Sequence, residues 1–421
     1  MAALEFSVLH TDKRARASKL ILPHATTLTP IFMPVGTGAT VKGLSTATNL
    51  GNTTCSMLLG NTYHLSQRPG SAVVKQNGGI HKFMNYQGNI LTDSGGFQMV
   101  SLFALSELDE RGVTFESPAD GTRMLLTPEA SIRAQHDIGA DVVMALDDVV
   151  SSVTVDDKRF RDATERTLRW LDRCLDEHEK RKDSQALFAI VQGGLDTKIG
   201  GLRHICLQGF EQRDYRIPGY AIGGIAGGES KDSFWKVVDF CTQRLPANKP
   251  RYLMGVGDPL DIVVAVSLGV DMFDCVYPTR TARFGTALTK HGTLNLKQRT
   301  FQSDMSSVEE GCTCAACSYD PKTGRRFSRA LFHQMFKVSE KSNVAGSMLS
   351  HHNISYMLRM CKEIQEAITT ETFDGFVRQF LLSRYGDDKK NQNNDSIGAW
   401  EDNVPRWVHD ALTAAEVNWK N

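Results

Sequence analysis

The sequence predicts an α/β fold, and it favours a closed (β/α)₈ barrel. Short apolar runs recur along the chain, most of them end at a polar or glycine-rich break, and segments with helical periodicity lie between them. A strand, a break and a helix, repeated over about 250 residues, are typical of βα units around a parallel sheet. An open, doubly wound sheet is the alternative that the same pattern allows.

Each predicted strand is an apolar run of a few residues. The runs are Ser56–Leu59, Asn89–Leu91, Val142–Leu146, Leu187–Val191, Tyr220–Ile222, Tyr252–Met254 and Met272–Phe273. The clearest helix between them is Arg159–Lys182, in which Leu168, Leu171 and Leu175 share one face. The remaining predicted segments are helices at His352–Ile368 and Phe373–Tyr385, a polar loop at Gly386–Ser396, and a short helix within Pro405–Trp419.

Composition excludes several classes of protein. The 421 residues include 48 Lys and Arg against 48 Asp and Glu, so the chain is not a uniformly basic nucleic-acid binder. The longest nearly apolar run, Ile262–Val270, is far shorter than the roughly 20 residues that span a bilayer. The N-terminus shows no secretory signal, and an odd number of cysteines, nine, indicates a reducing compartment. We therefore expect a cytoplasmic protein.

Polar side chains follow four of the predicted strands. Asp93, Asp147, Gln192 and Asp274 each come at or just after an apolar run. In a barrel, the carboxyl ends of the strands form one mouth, where catalytic residues lie. A single aspartate there could simply cap the next helix. Three carboxylates and an amide at one mouth predict a functional site.

The segment Arg280–Lys341 is basic, with 11 Lys and Arg against five Asp and Glu. A basic segment beside an acidic barrel mouth suits a polyanionic substrate that is held by its phosphates. A solvated surface with scattered basic residues is the alternative.

Three cysteines within six residues, Cys312, Cys314 and Cys317, predict a metal site. Tetrahedral zinc takes four nitrogen or sulfur ligands, and a histidine downstream would complete the set. The candidates are His333, His351 and His352. Four protein ligands leave no open coordination position, so we expect one structural Zn²⁺; buried free thiols are the alternative.

Three motifs carry a resemblance to a known family. They are Leu91–Leu102 (LTDSGGFQMVSL), Tyr252–Gly257 (YLMGVG) and Asp271–Arg283 (DMFDCVYPTRTAR). Together with the cysteine cluster, they resemble the tRNA-guanine transglycosylases over roughly residues 5–385. That family exchanges guanine at the wobble position of certain tRNAs for a 7-deazaguanine base. The resemblance supports the barrel, with a zinc-binding subdomain inserted near the C-terminus.

Two features resemble the eukaryotic, queuine-inserting members of that family. Within Ala221–Glu229, Gly227 stands where bacterial members carry valine, and a missing side chain there makes room for the cyclopentenediol of queuine. Asp147-Asp148-Val149 replaces a bacterial Asp-Glu-Cys. The implied reaction is exchange of guanine 34 in tRNAs with GUN anticodons, those for Asp, Asn, His and Tyr.

The resemblance also implies catalytic roles. Exchange of one base for another with retained configuration calls for two displacements through a covalent carboxylate–ribose intermediate. Asp274 matches the nucleophile of the family, and Asp93 matches the general acid/base. A purely structural role as a helix cap is the alternative for both residues.

The implied base pocket is built from short loops. Asp147 would accept the N1–H and 2-amino hydrogen bonds, Gln192 and the Gly224 N–H would bind the 6-oxo group, and Phe97 and Met254 would enclose the base. Ordinary core packing is the alternative for Phe97 and Met254. The full predicted set is Ser94, Gly95, Gly96, Phe97, Asp147, Gln192, Gly224, Gly227 and Met254.

Two further stretches resemble RNA-contacting loops of the family, and Arg280 and Arg283 are the expected phosphate or base contacts. The predicted set is Gly255, Val256, Gly257, Asp258, Pro259, Leu260, Asp261, Thr279, Arg280, Thr281, Ala282 and Arg283. The family pattern also selects His352 as the fourth metal ligand, in the run Ser350–Ile354. The spacing from Cys317 is longer than usual, and the excess lies in Ser318–Arg326.

We expect the chain to divide into four parts and to act with a partner. The limits are 1–290 for the barrel body, 291–352 for the zinc subdomain, 353–385 for closing helices and 386–421 for a C-terminal extension. The resemblance implies a non-catalytic paralogous partner in a heterodimer, and peripheral association with the mitochondrial outer membrane.

Two other functions compete with this one. The first is that paralogue itself, which lacks the full catalytic set, whereas Asp93, Asp147 and Asp274 are all present here. The second is a retaining carbohydrate hydrolase, which would leave the cysteine cluster and the basic segment unexplained.

Overall fold

Eight parallel strands close into a barrel, as predicted. The computed structural model describes residues 3–46, 53–97, 107–116, 121–319, 322–386 and 400–420. Around the barrel the order is β4, β5, β6, β10, β11, β12, β13 and β14, and β14 pairs with β4 to close the ring. The strands in chain order are β1 (Glu5–Asp12), β2 (Ala15–Ile21), β3 (Thr26–Thr29), β4 (Ile31–Gly36), β5 (Met57–Gly60), β6 (Asn89–Thr92), β7 (Glu107–Leu108), β8 (Val113–Glu116), β9 (Arg123–Leu126), β10 (Val142–Met144), β11 (Ala186–Val191), β12 (Gly219–Ile222), β13 (Arg251–Leu253), β14 (Met272–Cys275), β15 (Thr286–Thr289) and β16 (Gly292–Asn295).

Seven of the eight barrel strands coincide with predicted apolar runs. The exception is β4, in which Pro34 interrupts an otherwise apolar run; proline usually lies outside the middle of a sheet. Here Pro34 lies within the strand, opposite Cys275 of β14.

Helices cover the outside of the barrel. They are Thr62–Gln67, Ser71–Gln76, Ile80–Met84, Pro128–Ile138, Asp157–His178, Leu202–Glu211, Lys231–Thr242, Pro259–Ser267, Tyr277–Arg283, Arg329–Lys337, Ser339–Thr369, Phe373–Tyr385 and Arg406–Ala414. Within the described residues, none of these helices combines the length and the apolar character that crossing a bilayer requires.

The antiparallel sheet β1–β3 lies against the amino-terminal end of the barrel. Leu20 and Leu22 pack with interior barrel residues, and Asp141, just before β10, ties the layers together. Its carboxylate lies 2.7 Å from His24 Nδ1 and 2.9 Å from His81 Nε2. The two imidazole rings stack, with their centroids 3.4 Å apart and their planes inclined by 12°. The cluster therefore fastens the sheet to the barrel.

The C-terminal part of the chain packs onto the barrel through helices. The helix Ser339–Thr369 begins well before His352, where the predicted helix begins. It includes the hydrophilic run that precedes His352. The helix Phe373–Tyr385 has the predicted limits. The last helix, Arg406–Ala414, follows Pro405 and buries Val408, Ala411 and Leu412, as expected. The predicted loop Gly386–Ser396 lies outside the described residues from position 387 onward.

Candidate active site and metal centre

The barrel mouth brings together the four polar residues that were predicted to meet there. Asp93 and Gln192 directly follow β6 and β11, Asp147 follows β10, and Asp274 lies within β14. Asp93, Asp147 and Gln192 are buried, whereas Asp274 is half-buried. Because parallel strands end at one face of a barrel, residues that are far apart in sequence lie at the same end of the barrel here.

Asp274 is held through only one of its two oxygens. The hydroxyl of Tyr252 and the Gly255 N–H, at 2.9 Å, both donate to Oδ1. Burial raises the pKa of the Tyr252 hydroxyl well above its ordinary value, so this group stays a donor. Among the described residues, no hydrogen bond reaches Oδ2. The carboxylate is thus fixed in orientation through Oδ1 alone.

Asp93 is held by the loop that follows β5. Asn61 Nδ2 donates to Oδ2 at 2.6 Å, and the Thr62 N–H donates to Oδ1 at 2.8 Å. The Thr62 hydroxyl donates to the Asp93 carbonyl at 2.5 Å, which ties the backbone of the two loops together. This carboxylate is therefore positioned more rigidly than that of Asp274.

Asp147 and the adjacent Asp148 have separate surroundings. Gln192 Nε2 donates to Asp147 Oδ2 at 2.7 Å, so carboxylate and amide form a pair inside the cavity. Asp148 instead forms buried ion pairs with Arg159, at 2.8 Å, and with Arg166, at 2.5 Å. The first acid is available to a ligand, and the second anchors the helix Asp157–His178.

Two carboxyl groups at the mouth have raised pKa values, chiefly because they are buried. Burial raises the pKa of Asp147 to about 7; the charges of Asp148 and Asp93 add to this, and the Gln192 hydrogen bond opposes it. Burial also raises the pKa of Asp274 to about 6, and Asp93 contributes again. Perturbed carboxylates of this kind mark functional sites.

Glycines allow the loops around the cavity to approach one another closely. Gly224 has φ +67°, and a Cβ there would lie 2.3 Å from Gln192 Oε1. A Cβ at Gly96 would lie 2.8 Å from the side chain of Leu146. A side chain at either position would therefore displace Leu146 or Gln192, and at Gly224 it would also strain the backbone.

Gly227 lies in a loop that is held by hydrogen bonds to the Glu229 carboxylate. The Glu229 carboxylate accepts hydrogen bonds from the Ala226 N–H at 2.7 Å, the Gly227 N–H at 3.0 Å and the Ser152 hydroxyl at 2.7 Å. A Cβ at Gly227 would lie 2.9 Å from Ser152 Oγ. A side chain at 227 would therefore meet Ser152 first.

The remaining predicted pocket residues differ in exposure. Ser94 is buried and its carbonyl accepts from Ser131 at 2.7 Å; Gly95 has φ +83°. Phe97 is 59% exposed, and Met254 is half-buried. The part of the predicted motif from residue 98 onward lies outside the described residues.

The predicted RNA-contacting residues divide into exposed and buried groups. Gly255, Arg280 and Arg283 are exposed, and Asp258 and Thr281 are half-buried. The buried members are Val256, Gly257, Pro259, Leu260, Asp261, Thr279 and Ala282. Asp258 caps the helix Pro259–Ser267. Asp261 pairs with Lys231 at 2.5 Å. The buried side chains thus shape the loops and offer little surface of their own.

The three clustered cysteines meet His352 in one buried group. Its Nδ1 atom lies 3.7 Å from Cys312 Sγ and 3.4 Å from both Cys314 Sγ and Cys317 Sγ. The ligand atoms all lie within 4.8 Å of one another, so the group could hold a metal ion. The other ring nitrogen of His352, Nε2, lies 2.8 Å from the Leu288 carbonyl, which orients the ring.

Neither alternative histidine belongs to this group. His333 Nδ1 lies 2.9 Å from the Leu296 carbonyl. His351 is buried beside His352 and forms a hydrogen bond with Cys314, but it lies outside the group of four. Next to His352, Asn353 donates to the Pro278 carbonyl at 2.9 Å and accepts from the Leu288 N–H at 2.8 Å. The metal group is therefore connected to the helix Tyr277–Arg283, which carries the exposed arginines.

Sequence reasoning did not assign Asn61, Tyr252 or Arg203 a role in the site. Asn61 and Arg203 are ordinary members of a loop and a helix when read along the chain, and Tyr252 opens the motif Tyr252–Gly257 without being singled out. Their importance comes from contacts between segments that are distant in sequence. A polar residue directly after the apolar run at Met57–Gly60 is the one clue that could have indicated Asn61.

Paired carboxylates are also found in the active sites of enzymes that break glycosidic bonds. The family model that matches residues 11–386 is described as queuine tRNA-ribosyltransferase. The chain therefore belongs to the queuine tRNA-ribosyltransferase family. The members of this family are tRNA-guanine transglycosylases.

Curated relatives agree over almost the full length of the chain. The queuine tRNA-ribosyltransferase catalytic subunit of Schizosaccharomyces pombe is 45% identical over 418 residues, which cover 99% of this chain and 98% of the relative. The catalytic subunit of Caenorhabditis elegans is 43% identical, over 97% of this chain and 98% of the relative. A queuine tRNA-ribosyltransferase of Thermus thermophilus is 41% identical, over 98% of this chain and 99% of the relative.

We expect Asp147 and Asp274 to titrate near pH 7 and pH 6, far above the ordinary aspartate range. Asp93→Asn should lower both pKa values, because the negative charge of Asp93 raises each of them. Carboxyl ¹³C chemical shifts of aspartate-labelled protein, followed between about pH 4 and pH 9, measure these titrations.

Asp141 provides the internal control. Burial raises the pKa of its carboxyl, but hydrogen bonds from His24 and His81 outweigh this effect and hold the pKa below the ordinary value. Asp93→Asn should leave that titration unchanged. If the pKa values of Asp147 and Asp274 also stayed unchanged, the three mouth carboxylates would not be coupled.

Proposed function

We propose that this enzyme exchanges guanine at the wobble position, nucleotide 34, of tRNAs with GUN anticodons for queuine, by double displacement. The observation that carries the proposal is Asp274, a carboxylate fixed through Oδ1, whose Oδ2 accepts no hydrogen bond from the described residues. The rigidly held Asp93 at the same mouth supplies a second carboxylate for proton transfer.

The two displacements use these carboxylates in turn. In the first, Asp274 attacks C1′ of the ribose, a C1′–O bond forms, and the bond to guanine N9 breaks while Asp93 assists protonation of the leaving base. In the second, Asp93 takes the N9 proton of the incoming base, N9 attacks C1′, and the C1′–O bond breaks to release the Asp274 carboxylate. Two inversions retain the configuration at C1′.

Asp147 is the proposed reader of the guanine-type edge. An ionised carboxylate accepts hydrogen bonds from N1–H and the 2-amino group. Because burial has raised the pKa of Asp147 to about 7, binding of these two donors stabilises its charged form. The Gln192 amide and the Gly224 N–H would donate to the 6-oxo group.

The other pocket residues are assigned supporting roles. Phe97 and Met254 would lie on the two faces of the base, and Ser94, Gly95 and Gly96 would line its edge. Gly227 would leave room for the cyclopentenediol of queuine. The close loop packing at Gly96 and Gly224 supports backbone contact with the base.

The tRNA would bind across the mouth through its anticodon loop. The chemistry requires the base to leave its stack, which costs less in a loop than in a duplex. The exposed Arg280 and Arg283 support phosphate contacts, and the backbone at Gly255 supports close approach.

We propose that the metal group holds one structural Zn²⁺. Three thiolates and one imidazole are typical zinc donors, and four of them close a tetrahedral shell. The ion would stabilise the fold around Cys312–Cys317. Through Asn353, this part of the chain supports the helix Tyr277–Arg283.

The partner subunit, the substrate tRNAs and the cellular location are proposed from the resemblance to the family. The Schizosaccharomyces pombe relative is named a catalytic subunit, which supports a partner subunit, and we propose a heterodimer with a non-catalytic paralogue. We also propose tRNAs for Asp, Asn, His and Tyr as substrates, and a cytoplasmic location with peripheral association with the mitochondrial outer membrane. The domain limits 1–290, 291–352, 353–385 and 386–421 remain our proposal.

Asp274→Asn should abolish the covalent RNA adduct, because an amide cannot act as the carboxylate nucleophile. Incubation with tRNA and 9-deazaguanine, a base that cannot be displaced again, should trap the adduct on denaturing gels in the parent chain only. In the matched variant Asp93→Asn, tRNA should bind while exchange slows by at least about 10²-fold. An undiminished adduct in Asp274→Asn would remove this residue from the role of nucleophile.

Metal analysis should find one zinc ion per chain, and His352→Ala should lose it. Zinc loss should increase hydrogen exchange in the helix Tyr277–Arg283, because that helix is connected to the metal group through Asn353. His351→Ala is the matched control and should keep the metal. Full zinc content in His352→Ala together with loss in His351→Ala would transfer the ligand role to His351.

Gly227→Val should lower queuine incorporation by about 5- to 150-fold, which corresponds to an overpacking cost of about 1–3 kcal/mol. Guanine carries no cyclopentenediol, so its exchange should stay close to that of the parent. Incorporation of both bases into unmodified tRNA measures the ratio, and a general folding defect would depress both rates.

Ser152→Ala in the Gly227→Val background separates two causes. Because a Cβ at 227 would meet Ser152 Oγ, the double variant regains queuine use if the valine acts by displacing that side chain. Equal queuine rates in Gly227→Val and the parent would mean that Gly227 does not select the base.

A further inference from the structure

Arg203 is a fully buried cation that holds together the two loops carrying Gln192 and Gly224. It lies at the start of the helix Leu202–Glu211 and is 0% exposed. Its guanidinium donates to three backbone carbonyl oxygens, with Nη1 bonded to Val191 at 2.8 Å, Nε to Gly194 at 2.8 Å and Nη2 to Gly223 at 2.7 Å. Two of these carbonyls flank Gln192, and the third directly precedes Gly224.

The buried guanidinium must be compensated by its surroundings, because a charge taken out of water is costly unless hydrogen bonds or an opposite charge offset it. Among the described residues, no carboxylate lies within ion-pair distance of Arg203. The three carbonyl groups therefore provide the direct contacts, and Cys241, Cys206 and the more distant Glu229 also favour the charged form. A planar group with fixed N–H directions can bind three carbonyls only when they keep fixed positions relative to one another.

The two loops pack closely around Arg203. A Cβ at Gly193 would lie 2.5 Å from the Arg203 backbone nitrogen. A Cβ at Gly224 would lie 2.3 Å from Gln192 Oε1 and 3.5 Å from Arg203 Nη2. The separation of the Gln192 amide and the Gly224 N–H is therefore determined by how the loops pack around the guanidinium.

We propose that Arg203 is a positioning residue that sets the distance between the Gln192 amide and the Gly224 N–H, and thereby the recognition of the 6-oxo group of the base. The residue does not touch the base. The inference rests on the proposed function, in which those two donors bind the 6-oxo oxygen.

Two guanine analogues isolate this recognition. 6-Thioguanine keeps the N1–H and 2-amino donors but replaces the 6-oxo oxygen with sulfur, a weaker acceptor. Hypoxanthine keeps the 6-oxo group but lacks the 2-amino group that Asp147 would bind. Inhibition constants of guanine and both analogues, measured against exchange of labelled guanine into tRNA, give two preference ratios for each variant.

Arg203→Lys should reduce the preference for guanine over 6-thioguanine by at least about fivefold, because an ammonium cannot hold three carbonyls in one plane. The preference for guanine over hypoxanthine should stay within about twofold of the parent. Arg203→Gln, whose amide is neutral and keeps two N–H donors, should show the same selective loss.

Arg251→Lys is the matched control. Arg251 is also a buried arginine that donates to backbone carbonyls, those of Leu245 at 2.8 Å and Gly269 at 3.3 Å, but it lies at the opposite end of the barrel. It should cost similar stability in thermal unfolding and change neither ratio. Equal weakening of all three bases in Arg203→Lys, or an unchanged 6-thioguanine ratio, would overturn the inference. Absence of guanine exchange in the parent would instead refute the proposed function.

Discussion

Negative charge that is kept out of water governs the arrangement of the barrel mouth. Three aspartates share one cavity, and burial raises the pKa of Asp147 and Asp274 while Asp93 adds its own charge to both. Each carboxylate is compensated by hydrogen-bond donors from a neighbouring strand end: Asn61 and Thr62 for Asp93, Gln192 for Asp147, and Tyr252 and Gly255 for Asp274. The donors fix the orientation of the acids, and the incomplete compensation leaves them ready to interact with a substrate.

The barrel and the main polar residues could be read from the sequence because both depend on local patterns. An apolar run that ends at Asp93 or Gln192 indicates a strand end, and a closed parallel sheet brings such ends together. The spacing of Cys312, Cys314 and Cys317 likewise predicts a metal site. Their buried contact with His352 agrees with the selection of that residue, from three candidate histidines, as the fourth ligand.

The remaining residues depend on contacts that no local pattern records. Tyr252 belongs to a strand that reads as apolar core, and Arg203 to a helix whose other face is exposed. The predicted RNA-contacting segment illustrates a second limit, because a motif marks a stretch of chain and not the exposure of each member. Leu260 and Asp261 are buried, whereas Gly255 reaches the surface and also donates to Asp274.

The seam that closes the barrel carries the residue on which the chemistry would depend. Asp274 pairs in register with Met33, so the last barrel strand to leave the ribosome joins the first. Contacts this distant in sequence form late, since the intervening chain must first be ordered. A nascent chain that ends before β14 therefore has neither a closed barrel nor Asp274, the nucleophile that we propose. Under that proposal, ring closure and catalytic competence would be acquired in one step.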